Sequence, residues 1–203
     1  MSDAQPLHPA TPPGAKIALR DQLLTARRRR PLVEVAEAAA AITDHLLAEP
    51  AVRRAATVAC YVSVGSEPGT TGLIEALHTS GRHVLLPRLL PDNDLDWTRY
   101  GGPASLQPAR RGLLEPTGEL LGVEAIARAD VVLVPGLAVG KDGVRMGRGG
   151  GSYDRALARV PRGTLTAVLL YADEVLDAVP AEPHDRPVGA VATPDGVRHL
   201  RVL

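Results

Sequence analysis

Glycines and arginines are interleaved between positions 143 and 155, where the sequence reads GVRMGRGGGSYDR. Four of the five residues from Gly147 to Gly151 are glycine, so their backbone N–H groups can approach an anion without an intervening Cβ. Arg145 and Arg148 supply fixed positive charge beside them. The helix expected to start at Tyr153 would direct its positive N-terminal end to the same place. These features predict a phosphate-binding loop rather than a merely flexible surface loop.

Two common phosphate-binding loops do not fit this segment. A Walker loop ends in Gly-Lys followed by Ser or Thr, but here Gly151 is followed directly by Ser152. A dinucleotide-binding fingerprint needs a third glycine at the position of Ser152, three residues after Gly149. That fingerprint also leaves its strand directly, whereas about a dozen residues separate this loop from the strand ending at Pro135. The segment therefore represents a different phosphate-binding architecture.

Basic side chains near the start of the chain are further candidates for a phosphate site. Lys16 and Arg20 lie four residues apart on a predicted helix and therefore share one of its faces. At this spacing two positive charges repel by about 0.2–0.5 kcal/mol unless an anion or an acidic group is near. A solvated helix face is the alternative. The basic run from Arg27 to Arg30 resembles a nucleic-acid-binding patch. We favour the other explanation, in which these charges stabilise the negative end of the helix dipole.

Acidic side chains at several positions could contact a substrate or a metal ion. Glu67 follows the first predicted strand, where loops of α/β sheets usually contact ligands, although an ordinary acidic residue before a helix is the alternative. Asp154 falls in the first turn of a predicted helix, where an acidic residue is stabilising even without a ligand. His184 lacks a second His or Cys at zinc-ligand spacing, which argues against a zinc site.

Composition and charge exclude several classes of function. The 23 basic and 23 acidic residues cancel, so no global field would attract nucleic acid or an anionic membrane. No apolar run reaches the length of a membrane-spanning helix. Cys60 is the only cysteine, which excludes an internal disulfide and fits a reducing compartment; we expect it to be an inert buried thiol. We therefore expect a cytoplasmic protein whose partners are small molecules, with no nucleic-acid or membrane partner. We also expect a monomer, although oligomeric state does not follow from these residues.

The predicted elements alternate between helices and strands in the manner of α/β proteins. Residues 1–14 contain four prolines and are predicted to be a disordered leader, followed by one domain over residues 15–203. Helices are predicted over 16–30, 31–48, 71–80 and 153–159. Strands are predicted over 57–61, 83–87, 95–100, 130–135, 165–171, 188–193 and 197–202.

The character of these strands predicts the fold. Continuous apolar runs such as residues 130–135 indicate strands covered on both faces, which is typical of parallel sheets. We expect a single α/β domain with a mainly parallel, Rossmann-like sheet flanked by helices. Trp97 is expected to be half-buried on its strand, with an aromatic surface offered to a ligand as the alternative. Residues 101–122 are rich in Gly, Pro and Arg and are predicted to be a long functional loop.

The run from Pro135 to Arg155 resembles the signature of the 5-formyltetrahydrofolate cyclo-ligase family, also called methenyltetrahydrofolate synthetases. Further similarities follow in order within residues 15–195: Lys16 and Arg20 as K-x-x-x-R, Tyr61 with Glu67, Pro87, the GLLEP of residues 112–116, and His184-Asp185. The chain departs from the family pattern at Ser152, where a second aromatic residue is usual. It departs again at Val139-Gly140, which replaces Phe-Asp, although Asp142 could supply the missing acid.

The resemblance implies ATP-dependent ring closure of 5-formyltetrahydrofolate to 5,10-methenyltetrahydrofolate, with release of ADP and phosphate. ATP would be bound by Lys16, Arg20, Arg145, Gly147, Arg148, Gly149, Gly150, Gly151 and Tyr153. The reduced folate would contact Val62, Glu67, Arg148, Gly149, Gly150, Gly151 and Ser152. Arg145 and Arg148 would be catalytic, and Asp154 and Asp185 would bind Mg²⁺, which takes hard oxygen ligands. A non-catalytic nucleotide- or folate-binding regulator and a related small-molecule kinase or ligase are the alternatives, because likeness of fold does not guarantee activity.

Overall fold

The computed structural model describes residues 14–201, except for the side chain of Arg111. The leader predicted over residues 1–14 thus lies, apart from Gly14, outside the described residues. Five α-helices occur in this part of the chain: α1 (Ala15–Arg28), α2 (Leu32–Ala48), α3 (Pro50–Arg54), α4 (Thr71–Thr79) and α5 (Ser152–Ala158). Within residues 14–201, none of the helices combines the length and apolar character that a membrane span requires.

The strands of the described chain form one large sheet and two small ribbons. The large sheet contains β1 (Thr57–Ala59), β2 (His83–Leu89), β3 (Leu95–Arg99), β6 (Val131–Pro135), β9 (Leu165–Leu169), β10 (Ala190–Thr193) and β11 (Gly196–His199). One ribbon pairs β4 (Leu106–Pro108) with β5 (Leu114–Pro116), and the other pairs β7 (Ala138–Val139) with β8 (Arg145–Met146).

The large sheet is mainly parallel, in the order β11-β10-β9-β6-β1-β2-β3. Its five central strands run parallel, and β3 and β11 pair antiparallel at the two edges. The chain leaves β1 towards one edge and β6 towards the other, so strand order reverses between these two neighbours. In open α/β sheets, ligands bind beyond the carboxyl ends of the strands at such a reversal. The fold class predicted from the sequence is confirmed.

Both faces of the sheet are covered, which explains the unbroken apolar character of its central strands. Val131 and Leu133 pack on one face with Leu46 and Leu73 from α2 and α4. Val132 and Val134, which point the opposite way, pack with residues of α5 and of the 3₁₀ segment Val123–Arg128. Strands buried on both sides have no polar face, so they are recognisable in sequence as continuous runs.

Several local predictions were wrong. Trp97 is 1% exposed rather than half-buried, because the 3₁₀ segment Val123–Arg128 and the apolar residues around it cover its face of the sheet. The predicted loop over 101–122 contains the β4–β5 ribbon and two 3₁₀ turns. Arg27 is 1% exposed and buried in an ion pair, so its role is not confined to the helix dipole. The short helix α3 was not predicted.

Candidate active site

A large pocket opens at the carboxyl ends of β1, β2 and β6, where the strand order reverses. Its volume of about 1030 Å³ lies at the upper end of the range for small-molecule sites. Every residue that the sequence analysis assigned to ATP, folate or Mg²⁺ lines it: Lys16, Arg20, Val62, Glu67, Arg145, Gly147, Arg148, Gly149, Gly150, Gly151, Ser152, Tyr153, Asp154 and Asp185. The structure thus brings the assigned residues together, while their individual roles remain predictions.

Helix α1 presents two of its basic residues, Lys16 and Arg20, to this pocket. Lys16, Arg20, Leu23 and Arg27 are spaced by four, three and four residues, which places them on one helical face. Leu23 anchors the helix in a small apolar cluster that includes Met146 beside the glycine loop. The side chain of Lys16 is 17% exposed, so this face is not a solvated helix face.

The glycine loop contacts α1 directly. Arg20 donates a hydrogen bond from Nε to the carbonyl oxygen of Gly147 over 3.1 Å. Gly149 adopts φ +98°, a conformation that L side chains rarely adopt, and a Cβ at this position would lie 3.4 Å from Nη2 of Arg20. The loop leads into α5 at Ser152. The loop is therefore shaped by its glycines and held next to a guanidinium group of α1.

Arg145 forms part of the pocket wall and is almost completely buried. Its Nη2 lies 2.9 Å from Oδ1 of Asp154, and its side chain is 3% exposed. The backbone N–H of Arg186 donates to the same Asp154 oxygen over 3.2 Å. This contact places the segment of Asp185 beside Asp154, although more than thirty residues separate them in sequence. A buried charge pair of this kind fixes both partners in position.

Glu67 and Arg148 meet across the pocket. Oε1 of Glu67 lies 3.2 Å from Nη2 of Arg148, and its Oε2 accepts a hydrogen bond from the backbone N–H of Val64 over 2.9 Å. Burial raises the pKa of Glu67, while that hydrogen bond and the charges of Arg148 and Arg27 act in the opposite direction. The side chain of Arg148 is 50% exposed, so it can reach a bound ligand.

The loop that carries Glu67 is fixed by a buried threonine. The hydroxyl group of Thr70 donates to the carbonyl oxygen of Tyr61 over 2.6 Å and accepts from the N–H of Ser63 over 2.9 Å. Thr70 precedes α4 but its side chain makes no capping hydrogen bond to that helix. Its hydroxyl group instead stabilises the loop, and Val62 packs against the main core from within the same loop.

Several wall residues were not assigned a role from the sequence. Tyr61 is 2% exposed, burial raises its pKa well above the usual range, and its hydroxyl has no hydrogen-bond partner among the described residues. Burial also raises the pKa of Tyr153, which the sequence analysis assigned to ATP. Apolar side chains complete one wall: Leu89, Leu95, Leu113 and Leu114. The ribbon β4–β5 carries Leu114 there, and Glu115 fixes it by accepting a hydrogen bond from the N–H of Leu89 over 3.0 Å.

Carboxylates at the pocket provide a donor set suited to a hard cation. Asp154 and Asp185 both line it, and the ligand atoms of Glu182, His184 and Asp185 lie within 4.8 Å of one another. Nζ of Lys16 is 2.6 Å from Oδ2 of Asp185 and 3.1 Å from Oε2 of Glu182. Each aspartate is thus paired with its own candidate phosphate ligand, Asp154 with Arg145 and Asp185 with Lys16. This chemistry fits Mg²⁺ bound together with a phosphate.

Other residues singled out from the sequence lie elsewhere. Trp97 belongs to the core and does not line the pocket, so it offers no surface to a ligand there. Asp142 is absent from the pocket wall, and its Oδ1 accepts a hydrogen bond from the N–H of Val144 over 3.1 Å. Cys60 is fully buried and free. Burial raises the pKa of its thiol to about 12, as expected for an inert cysteine.

Comparison with known proteins gives a consistent result. Residues 13–194 match the sequence model of the 5-formyltetrahydrofolate cyclo-ligase family. A 5-formyltetrahydrofolate cyclo-ligase of Mycolicibacterium smegmatis is 41% identical over 93% of this chain and 99% of its own length. The protein of that name from Escherichia coli strain K12 is 34% identical over 75% of this chain and 85% of its own.

Similarity extends to a solved structure. The NMR structure of 5,10-methenyltetrahydrofolate synthetase from Aquifex aeolicus superimposes with a TM-score of 0.80 at 29% sequence identity. The superposition covers 92% of this chain and 93% of the other. Most of the described sheet and the pocket segments therefore lie within the shared fold.

Proposed function

Because the chain belongs to the 5-formyltetrahydrofolate cyclo-ligase family, we propose that it closes 5-formyltetrahydrofolate to 5,10-methenyltetrahydrofolate with ATP, releasing ADP and phosphate. The observation that carries this proposal is a charge arrangement within one pocket. Lys16, Arg20 and Arg148 lie around a glycine loop, and Glu67 stands on the facing wall. Such a pocket suits two ligands of different chemistry, one polyanionic and one a flat heterocycle.

The glycine loop and α1 would bind the triphosphate. Backbone N–H groups of Gly149 to Gly151 can approach phosphate oxygens closely, and Arg20 already contacts the loop. Lys16 is paired with Asp185 and Glu182. A phosphate would provide Lys16 with a stronger negative partner.

The apolar wall and Glu67 would bind the folate. Leu89, Leu95 and Leu114 can pack against one face of the pterin ring, as apolar side chains do in most small-molecule sites. A carboxylate can accept N–H groups from the edge of the ring, and Glu67 is held for this purpose by Val64 and Arg148. Val62 lies beside it on the same loop.

The proposed reaction needs positioning and neutralisation of charge rather than a protein nucleophile. The formyl oxygen attacks the γ-phosphorus, and the bond from that phosphorus to the bridging oxygen breaks to release ADP. The second folate nitrogen then attacks the activated formyl carbon and loses its proton. Phosphate leaves with the former formyl oxygen and takes up that proton. Arg148 and Arg145 would stabilise negative charge on the transferred group, as arginines do in other phosphoryl transfers.

Asp154 and Asp185 would hold Mg²⁺ in this scheme, and the ion would neutralise phosphate oxygens when bound. We further propose that the protein is a single-domain cytoplasmic monomer whose ligands are ATP and a reduced folate. Its equal numbers of acidic and basic residues support the absence of a nucleic-acid partner. Sedimentation of the purified protein would test the oligomeric state.

An Arg148→Ala variant tests the proposed reaction. Loss of a side chain that stabilises transferring charge lowers turnover by about 10²–10³-fold. The fold should persist, because the Arg148 side chain is half-exposed. Formation of methenyltetrahydrofolate is followed by its absorbance with and without ATP, and Arg54→Ala, an exposed arginine outside the pocket, serves as the control. Full activity of Arg148→Ala would refute its role. Binding of ATP by the wild type without product would favour a non-catalytic regulator.

A further inference from the structure

Arg27 makes a two-pronged contact with a distant glutamate inside the protein. Its Nε lies 2.6 Å from Oε1 of Glu174, and its Nη2 lies 2.7 Å from Oε2. Glu174 ends the 3₁₀ turn Ala172–Glu174 after β9 and also accepts the N–H of Tyr171 over 3.0 Å. Both partners are almost fully buried, with side chains 0% and 2% exposed. This geometry fixes the end of α1 to the turn beyond β9.

Arg27 also contacts the pocket wall. The same Nη2 donates to the carbonyl oxygen of Gly136 over 2.7 Å. Gly136 directly follows β6 and lines the pocket. A Cβ on Gly136 would stand 2.6 Å from Cγ2 of Val168 and 3.4 Å from Cγ of Arg145, so this backbone is closely confined. Arg27 therefore links α1 to a rigid part of the site.

We propose that Arg27 is a positioning residue for the triphosphate, acting through the placement of Lys16 and Arg20 on the same face of α1. The inference rests on the proposed function, because it assumes that these two side chains bind phosphate. Lys16 lies eleven residues from Arg27, or about 16 Å along the helix at its usual rise. A tilt of about 4° at Arg27 would move Lys16 by about 1 Å over that length.

The contact to Gly136 separates this proposal from a purely structural ion pair. A buried pair can often be replaced by neutral groups of similar size without loss of stability. If Arg27 and Glu174 served only stability, such a replacement would leave the pocket unchanged. Methionine at position 27 has no N–H group to donate to the Gly136 carbonyl oxygen, however, so α1 would lose its link to the wall. The charge of Arg27 also lowers the pKa of Glu67 against the effect of burial, which ties the same residue to the folate side of the pocket.

The test compares the wild type with an Arg27→Met/Glu174→Gln double variant. Removal of both charges avoids leaving either one buried and unpaired, and Gln keeps an acceptor for the N–H of Tyr171. Arg30→Gln is the matched control, because Arg30 lies three residues further on and pairs with Asp173 without contacting Gly136. Thermal unfolding, calorimetric ATP affinity and KM for ATP are measured for each protein.

We expect the double variant to stay folded and to lose roughly 10- to 100-fold in ATP affinity, the range expected when a hydrogen bond between charged groups is lost. Arg30→Gln should bind ATP as the wild type does. Wild-type ATP affinity in the folded double variant would overturn the proposal.

A double variant that does not fold is replaced by Arg27→Lys, which keeps the charge but cannot make all three contacts. Weakened ATP binding in this folded variant supports the proposal, and wild-type affinity overturns it. Failure of the proposed function would show separately, as absence of methenyltetrahydrofolate with the wild type. The ATP affinities are measured without turnover and so judge Arg27 independently.

Discussion

Substitution of Gly149 by alanine tests whether the shape of the glycine loop matters for ATP. Gly149 has φ +98°, and the new Cβ would lie 3.4 Å from Nη2 of Arg20, which itself donates to the loop at Gly147. The substitution therefore strains the backbone and places a methyl group against a basic side chain assigned to the phosphates. Both effects act at the place where we expect the triphosphate to bind.

The expected losses of stability and of ATP affinity in Gly149→Ala follow from the backbone conformation. An L residue in a left-handed conformation costs about 1–2 kcal/mol. If the loop keeps its shape, this cost lowers the free energy of unfolding and reduces Tm by about 2–8 °C in a chain of this size. If the loop relaxes instead, ATP must restore its shape, and affinity falls by about 5- to 30-fold.

Gly163→Ala is the matched control for backbone strain. Gly163 has φ +92°, close to the value at Gly149, but a Cβ there would meet nothing within 4 Å, and the residue does not line the pocket. Calorimetry with ATP and thermal unfolding are measured for both variants. We expect Gly163→Ala to lose stability by a similar amount while its ATP affinity stays at the wild-type value.

The two variants together can refute the reasoning. Wild-type ATP affinity in Gly149→Ala would show that neither the loop shape nor the position of Arg20 matters for the triphosphate. An equal loss of ATP affinity in Gly163→Ala would show that general destabilisation, rather than the loop, controls binding.

Two further predictions concern buried titratable groups. Because burial raises the pKa of Glu67, KM for the folate should rise as pH falls towards that raised pKa, and Glu67→Gln should bind folate weakly without this pH dependence. The raised pKa of Glu67 also contributes to the stability of the fold at pH values below the unfolded-state pKa, and this contribution is lost as pH rises through the folded-state pKa. The stability of the wild type relative to Glu67→Gln should therefore fall as pH rises. A difference in stability that did not fall would contradict the assignment. Cys60, fully buried with its pKa raised to about 12, should react with a thiol reagent only when the whole protein unfolds, and rapid labelling of the native protein would contradict the structure.

The central sheet could be predicted from the sequence because the apolar pattern that indicates each strand lies within that strand. Residues 131–135 form an unbroken apolar run, and burial on both faces gives such a run without any information from distant residues. The glycine loop was equally predictable, since a phosphate-binding backbone needs glycines in its own sequence. All residues assigned through the family signature line one pocket, although their roles there remain predictions.

The features that the sequence did not predict depend on distant partners. Arg27 looked like an ordinary basic residue at a helix end, because its partner Glu174 lies 147 residues away. Trp97 alternates with polar neighbours, as a half-exposed residue would. The segment that covers its face of the sheet, Val123–Arg128, has no helical periodicity from which it could be predicted. The ribbon β4–β5 consists of two three-residue strands, too short for their alternation to stand out.

The pair of Lys16 with Asp185 joins positions 169 residues apart. A ligand that bridged α1, the glycine loop and this aspartate would act as a reversible crosslink between the two ends of the domain. Its binding energy would then oppose unfolding of the entire chain rather than of one loop, by an amount that grows with the logarithm of its concentration over its dissociation constant. Supply of substrate would in this way govern the resistance of the protein to proteases as well as its catalytic rate.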